Sequence, residues 1–298
     1  MRTLFSLTGR NMKIFFKDKA MFFTSLITPA ILLVLYSTFL AKVYNDAFIA
    51  SVPKGMILPD KLVKGAVGGQ LVSSLLAVSC VTVTFCSNML MVQDKVTGAF
   101  RDLTISPLKK STLSVSYYIG AFITTLIVCL VAAGLGLIYV ASVGWYMSVS
   151  DVLLMILDVF LLVMFGTALS SIINRFLSTQ GQISAVGTIV SSGYGFICGA
   201  YMPISQFGTG LQKILMFLPG TYGTSLIRNH AMRGAFEEMK EIGIPDESVK
   251  LMMDSVDCNI YFFDHKVGES AMYAVLTVSA LILLGIYVLI NMLRKKKA

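Results

Sequence analysis

The chain has 298 residues, of which 56% are hydrophobic and 13% charged, with a formal net charge of +8. A soluble domain carries about 25% charged residues, so too little polar surface exists to clothe a globule of this size, and lipid must solvate much of it. The basic residues gather at the amino terminus, in one central loop and in Arg294, Lys295, Lys296 and Lys297. That distribution is one of membrane topology, and it argues against a nucleic-acid-binding domain.

Residues 1–19 predict an amphipathic helix lying in the membrane interface. At about 100° per residue, Arg2, Arg10, Lys13 and Lys17 fall within one arc, and Leu4, Leu7, Met12, Phe15 and Phe16 occupy the other side. The first apolar run, 20–41, is longer than the core of a secretory signal and has no clear cleavage site after it, so it is expected to remain as an anchor.

A span needs about 20 apolar residues. Five further segments meet that length: 66–92, 113–142, 150–173, 183–202 and 270–293. The second and third are longer than a bilayer requires, and both flank the basic loop 93–111. They are expected to project from the membrane and carry that loop to a partner. Within the loop a short helix is predicted from about Thr97 to Ile105, stopped by Pro107. Span 66–92 presents Gln70, Ser73, Ala77, Cys80, Thr84 and Ser87 at spacings of three and four, with Asn88 adjacent, so they share one helix face. Span 183–202 shows Ser184, Thr188, Ser191 and Gly195 in the same manner.

Asp158 interrupts the fourth span. An acid near the centre of a span costs about 2.5–3.5 kcal/mol on insertion, so it is expected to be neutral, paired or facing water. A hydrogen bond to a neighbouring span and a proton relay both remain open.

After the fifth span, the short apolar run Leu211 to Phe217 ends at Pro219-Gly220. It is too short to cross, and it predicts a re-entrant or interfacial hairpin bracketed by Pro203, Pro219 and Tyr222. Residues 229–269 hold nine acids against four bases and are expected to form a small, solvated, acidic cap. His230 and His265 fall in or near it and read as surface residues. Cys80, Cys86, Cys129 and Cys198 lie in apolar segments and Cys258 in a polar one, with no disulfide or zinc spacing.

The expected fold is therefore an all-α membrane protein of six transmembrane helices. Its segments are 1–19, 20–202 with the loop 93–111, 203–269, and 270–298. Placing both termini in the cytoplasm keeps Lys95, Arg101, Lys109, Lys110, Arg175 and the basic ends inside. There is no Gly-Lys dipeptide, hence no P-loop, and neither a nucleophile elbow nor an H-E-x-x-H motif is present. No catalytic, cofactor or metal residue is predicted.

Two blocks carry a resemblance. Asp94, Gly98, Arg101, Leu103 and Ser106-Pro107-Leu108 follow the second span, and Pro203, Pro219, Tyr222, Leu226 and Arg228 follow the fifth. In these places the sequence resembles the membrane subunits of type-2 ABC transporters of the drug-export branch, although the acidic position is more often Glu there. The resemblance implies a bacterial cytoplasmic-membrane exporter in which this chain pairs with a second permease copy or paralogue, among membrane lipids. Two separate ABC subunits would bind ATP and Mg. It further implies that Phe100, Arg101, Asp102, Leu103, Ser106 and Pro107 couple to the ATPase, with Phe100, Leu103 and Ile105 as apolar anchors and 174–178 as a lesser contact. Gln70, Ser73, Thr84, Ser87, Asn88, Ser184, Thr188 and Ser191 would line the translocation path, unless their small side chains serve close helix packing. The cargo implied is an amphipathic drug, antibiotic or peptide. A glycan or lipid-linked polymer, or ion-coupled transport through Asp158, are the alternatives.

Overall fold

The computed structural model describes residues 2–50, 52, 58–106 and 108–293. The chain is an all-α membrane protein, 84% helical. Helix α1, Arg2–Lys17, breaks at Asp18, whose carboxylate accepts the Met21 N–H at 3.0 Å and so starts α2, Lys19–Leu35. A π-helical turn, Tyr36–Leu40, and α3, Ala41–Ala50, continue the same rod. Then come α4, Asp60–Thr97, α5, Ala99–Ile105, and α6, Lys110–Val143. Capping boxes at Ser148/Asp151 and Thr179/Gln182 open α7, Val149–Phe176, and α8, Gln180–Ile197. Helices α9, Thr209–Leu215, α10, Pro219–Glu241, and α11, Asp246–Ser255, lead to a two-strand hairpin, Tyr261–Phe262 with His265–Lys266, and to α12, Glu269–Leu293.

Helix α4 is the hub. It packs against α2, α6, α7, α8 and α10 and is buried along nearly its whole length. At 38 residues it is about 57 Å long, well beyond the roughly 30 Å of hydrocarbon.

Among the described residues, five helical stretches are long and apolar enough to span: Lys19–Ala50, Asp60–Thr97, Ser111–Val143, Val149–Phe176 and Glu269–Asn291. The sixth expected span is helical in α8, but Gln180, Gln182, Ser184, Thr188, Ser191 and Ser192 dilute its apolar character. Arg10 near one terminus meets the Tyr117 turn of α6, and Tyr287 near the other donates to the Ser114 carbonyl at 2.9 Å. Both near-terminal segments thus sit at the same end of the bundle.

The segment after α8 departs furthest from expectation. Helix α10 lies antiparallel to α7: Gly223 meets Leu162, His230 meets Asp158 and Arg233 meets Asp151. It therefore begins halfway along α7 and emerges where α6 and α7 join. There a side chain on Gly234 would collide with the Tyr146 carbonyl, so only glycine permits the approach. Residues 229–241 consequently belong to this packed helix, and the solvated part of the cap begins at about Ile242. His230 is not a surface residue: it is fully buried against the Asp158 carboxylate, which also accepts the Tyr273 hydroxyl of α12 at 2.6 Å. Cys258, although it falls in a polar stretch of the sequence, is buried as well. His265 is exposed as expected.

Candidate functional site

The end of the bundle bearing the basic loop gathers four separated pieces of chain. Arg10 of α1 donates two hydrogen bonds to Asp94 near the end of α4, at 2.7 and 2.9 Å. The Tyr117 hydroxyl of α6 donates to the same carboxylate. Asp94 is buried and Arg10 about one-third exposed. Such bidentate, charge-assisted bonds are worth about 1.5–3 kcal/mol each. The bonds to Asp94 hold the Arg10 guanidinium above its ordinary pKa, against the burial that would lower it. One residue on, Lys95 donates to the carbonyls of Asn174, Arg175 and Leu177 at 3.2, 2.8 and 2.7 Å. This ammonium satisfies the last carbonyls of α7 and complements its dipole, and so fixes the α7–α8 junction to α4.

Two residues beyond Lys95 the helix ends. Gly98 adopts φ 87°, the left-handed region, and turns the chain into α5. Phe100 stacks on Tyr117 with centroids 6.5 Å apart, and Phe100 and Leu103 are half-buried in the cluster that holds Leu7, Phe15, Leu90 and Met91. Of the three apolar anchors expected to face a partner, these two thus pack against their own chain, because Tyr117 offers a ring at the right height. Ile105 faces outward at 74% exposure, with Arg101 and Asp102 exposed beside it. Ser106 closes α5 by donating to the Leu103 carbonyl at 2.7 Å. Pro107 lies outside the described residues.

The result is a short helix whose Phe100 and Leu103 rest on Tyr117 and the apolar cluster of α1, α4 and α6, presenting a charged and apolar face outward. Just before it, Asp94 and Lys95 tie the end of α4 to α1, α6 and the end of α7. The weight of Arg10 and Asp94 was only half visible beforehand. Arg10 read as part of a water-facing arc and Asp94 as a loop acid, and a pairing across 84 residues leaves no local signal. Tyr117 and Lys95 carried none.

The residues expected along a path divide into two groups. Gln70, Ser73, Thr84, Ser87 and Asn88 are buried inside this chain. Asn88 donates to Ser170 and Ser171 of α7 at 2.6 and 3.1 Å, and Ser87 shares a bond with Thr125 of α6 at 3.2 Å. Ser73 and Thr84 donate to carbonyls of α4 itself. These four therefore join helices or close on their own backbone, whereas Gln70 makes no hydrogen bond through either amide atom. Ser184 and Thr188 of α8 are exposed and Ser191 half-buried. The structure does not bring the two groups onto one surface. In the hairpin, Pro203 is buried ahead of a short 3-10 turn, Pro219 is the first residue of α10, and the Tyr222 hydroxyl donates to the Met216 carbonyl at 2.7 Å, pinning the turn between α9 and α10.

Comparison with known families finds that the model described as ABC-2 type transporter matches residues 2–231. A search of curated proteins returns no match.

Proposed function

Because this chain belongs to the ABC-2 type transporter family, and so is a multi-pass transmembrane permease subunit that works with ABC ATP-binding subunits, we propose that it forms the translocation half of an exporter. Two separate subunits bind ATP and Mg and hydrolyse the nucleotide, while this chain only moves. The observation that carries the reading is helix α5: its outer face of Arg101, Asp102 and Ile105 is open, and its inner face rests on α1, α4 and α6. An exposed 74% isoleucine between charges fits a cleft on a partner better than it fits water.

The permease works as a pair, with a second copy or a paralogue. Polar Ser184, Thr188 and Ser192 stand exposed on α8, and in hydrocarbon such groups go to a partner or an aqueous route. The path therefore runs along the α8 face, and the buried polar residues of α4 support it from within. Six helices cross the bilayer, α8 being the least apolar. The hairpin α9–α10 is re-entrant from the outer side, and both termini lie in the cytoplasm of a bacterium. The exported compound is amphipathic, a drug, antibiotic or peptide.

The test is co-expression with the partner ATPase, followed by copurification and ATP-driven export in proteoliposomes. Ile105→Asp and Arg101→Glu should abolish copurification while leaving the permease folded. Unchanged copurification and export in both variants would overturn the coupling assignment.

A further inference from the structure

Three helices meet at Asp158. It stands nine residues into α7, about 14 Å from the start of that helix, and its side chain is fully buried. One carboxylate oxygen faces Nδ1 of His230 on α10, and the other accepts the Tyr273 hydroxyl of α12 at 2.6 Å. The His230 and Tyr273 rings lie 6.4 Å apart, inclined at 30°. His230 is also fully buried, and its second nitrogen, Nε2, makes no hydrogen bond. A second ring proton would be stranded there without an acceptor, so the geometry favours a single proton, on Nδ1 and aimed at Asp158. The carboxylate then has two neutral donors and no cation. Arg233, one turn along α10, is turned to Asp151 at 2.6 Å. Cys80 of α4, backed by Cys129 of α6, is the ionisable group that feels the Asp158 charge from the opposite side, and a thiol brings no positive charge. An acid held at membrane depth without a counter-charge is costly, and such acids mark functional positions.

Access to this cluster runs one way. Glu269 is exposed at the first position of α12, four residues and so one turn before Tyr273. Its charge reaches both Tyr273 and Asp158. Tyr273 is half-buried, and its hydroxyl joins the exposed acid to the enclosed one. Toward the loop end these two helices offer no continuation: α7 has no ionisable residue from Val159 to Asn174, and α12 has none from Ala274 to Ile286.

We propose that Asp158, His230 and Tyr273 form a proton-binding site that exchanges one proton with water on the cap side through Glu269. In the loading step a proton from that water, passed on by the Glu269 carboxylate, joins Tyr273 Oη as the hydroxyl hands its own proton to the Asp158 carboxylate. The tyrosine ends neutral, Asp158 gains one hydrogen and loses its charge, His230 keeps its Nδ1 proton, and unloading is the reverse. The blind inner end makes the site a sensor of acidity on the cap side, not a conduit across the bilayer. Protonation removes the charge that draws both donors inward, so α10 and α12 are held less tightly to α7. Arg228, two residues before His230, carries that change to the cap through Asp257. The site rests on these contacts alone and stands whether or not the chain exports anything.

The experiment uses the full chain, purified with its ATP-binding subunits into nanodiscs, and reads the carbonyl stretch of a protonated carboxyl by infrared difference spectroscopy. Between about pH 4 and about pH 9, a range that covers ordinary and buried carboxyls, a band should grow as the pH falls, and Asp158→Asn should lack it. Tyr273→Phe removes the hydroxyl and leaves the contact of Asp158 with His230 in place. After a rapid pH drop it should slow the appearance of the band by about a hundredfold or more, the scale of losing a positioned proton donor. Glu269→Gln, at the water's edge, should slow it less. Both variants keep the Asp158 carboxyl, so a band whose rate follows Tyr273 identifies the site even where Asp158→Asn does not fold. A band absent throughout, or present and unchanged across the range, overturns the proposal, since the cluster then holds a fixed number of protons. So does filling at the native rate in both variants, which would leave Tyr273 a structural hydrogen bond only.

Discussion

Arg10 and Asp94, 84 residues apart, share two hydrogen bonds of 2.7 and 2.9 Å, and this contact fastens the amino-terminal helix to the end of the longest helix. Removing one member leaves the other in place, and the two cases differ. Arg10→Ala strands a buried carboxylate that keeps only Tyr117 as donor. The cost of breaking a fully buried pair is about 3–5 kcal/mol, reduced here to about 2 kcal/mol because Arg10 reaches solvent. Asp94→Asn retains an acceptor for Tyr117 and should cost about half as much. The double variant should be less destabilised than the sum of the two, as measured by thermal unfolding in detergent. Strict additivity would show that the contact carries no coupling energy.

Gly98 supplies a prediction free of packing. A side chain there meets nothing within 4 Å, so any effect of substitution comes from the backbone at φ 87°. Gly98→Val forces a β-branched residue into the left-handed region at a cost of about 1–3 kcal/mol. Relief comes if α4 runs straight on and lifts α5 off Tyr117. ATP-driven transport should fall by about tenfold or more, with little change in thermal stability, whereas Gly98→Asn, which tolerates this conformation, should transport nearly normally. Equal loss in both variants would locate the requirement elsewhere.

The spans were legible because hydropathy is a local property of the chain. The loop helix was equally legible, since Gly98 and Pro107 punctuate it. What failed was α10. The excess of acids over bases across 229–269 made its second half resemble a solvated cap. His230 and Arg233 are instead answered by acids far along the chain, Asp158 and Asp151, and Arg228, just before them, by Asp257. Charge counted along a sequence cannot distinguish water from a buried partner. The same blindness hid the inward role of Phe100, because which face a ring turns depends on Tyr117, not on its own neighbours. The polar residues of α4 share a face by their spacing, but periodicity does not say whether another helix covers it.

The five cysteines offer a simple readout of this packing. All are free and buried. Burial pushes the Cys258 thiol up to about 12, so the reactive thiolate is scarce at pH 8, about one part in ten thousand. Native protein treated with N-ethylmaleimide should gain no adduct at Cys258 by intact-mass analysis, and protein in dodecyl sulfate should gain one per cysteine. Rapid native labelling at Cys258 would mean that the cap opens where it is described as closed.

The pair Arg228 and Asp257 joins α10 to the cap and yields a prediction with a defined pH sense. Arg228 is fully buried and donates to the Val256 and Gly199 carbonyls at 2.7 and 2.8 Å and to Ser74 at 3.3 Å, with Asp257 at 3.5 Å. Asp257 also accepts the backbone N–H groups of Ile204 and Ser205. Burial, the largest influence, holds the Asp257 carboxyl above its ordinary range despite the opposing pull of Arg228 and these N–H groups. Asp257→Ala leaves a buried guanidinium, which keeps its charge, and should cost about 3–5 kcal/mol. Arg228→Met leaves a carboxyl that can escape by taking a proton, so its cost should be smaller. With Arg228 gone, the folded carboxyl binds its proton more tightly still than the unfolded one. The folded state then holds more protons, and stability falls as pH rises from the ordinary carboxylate range through the raised folded value. Lowering the pH through that same window should therefore restore part of the stability of Arg228→Met and none of that of Asp257→Ala. Thermal unfolding of both variants as a function of pH measures this, and parallel pH profiles would show that Asp257 is not the group that titrates.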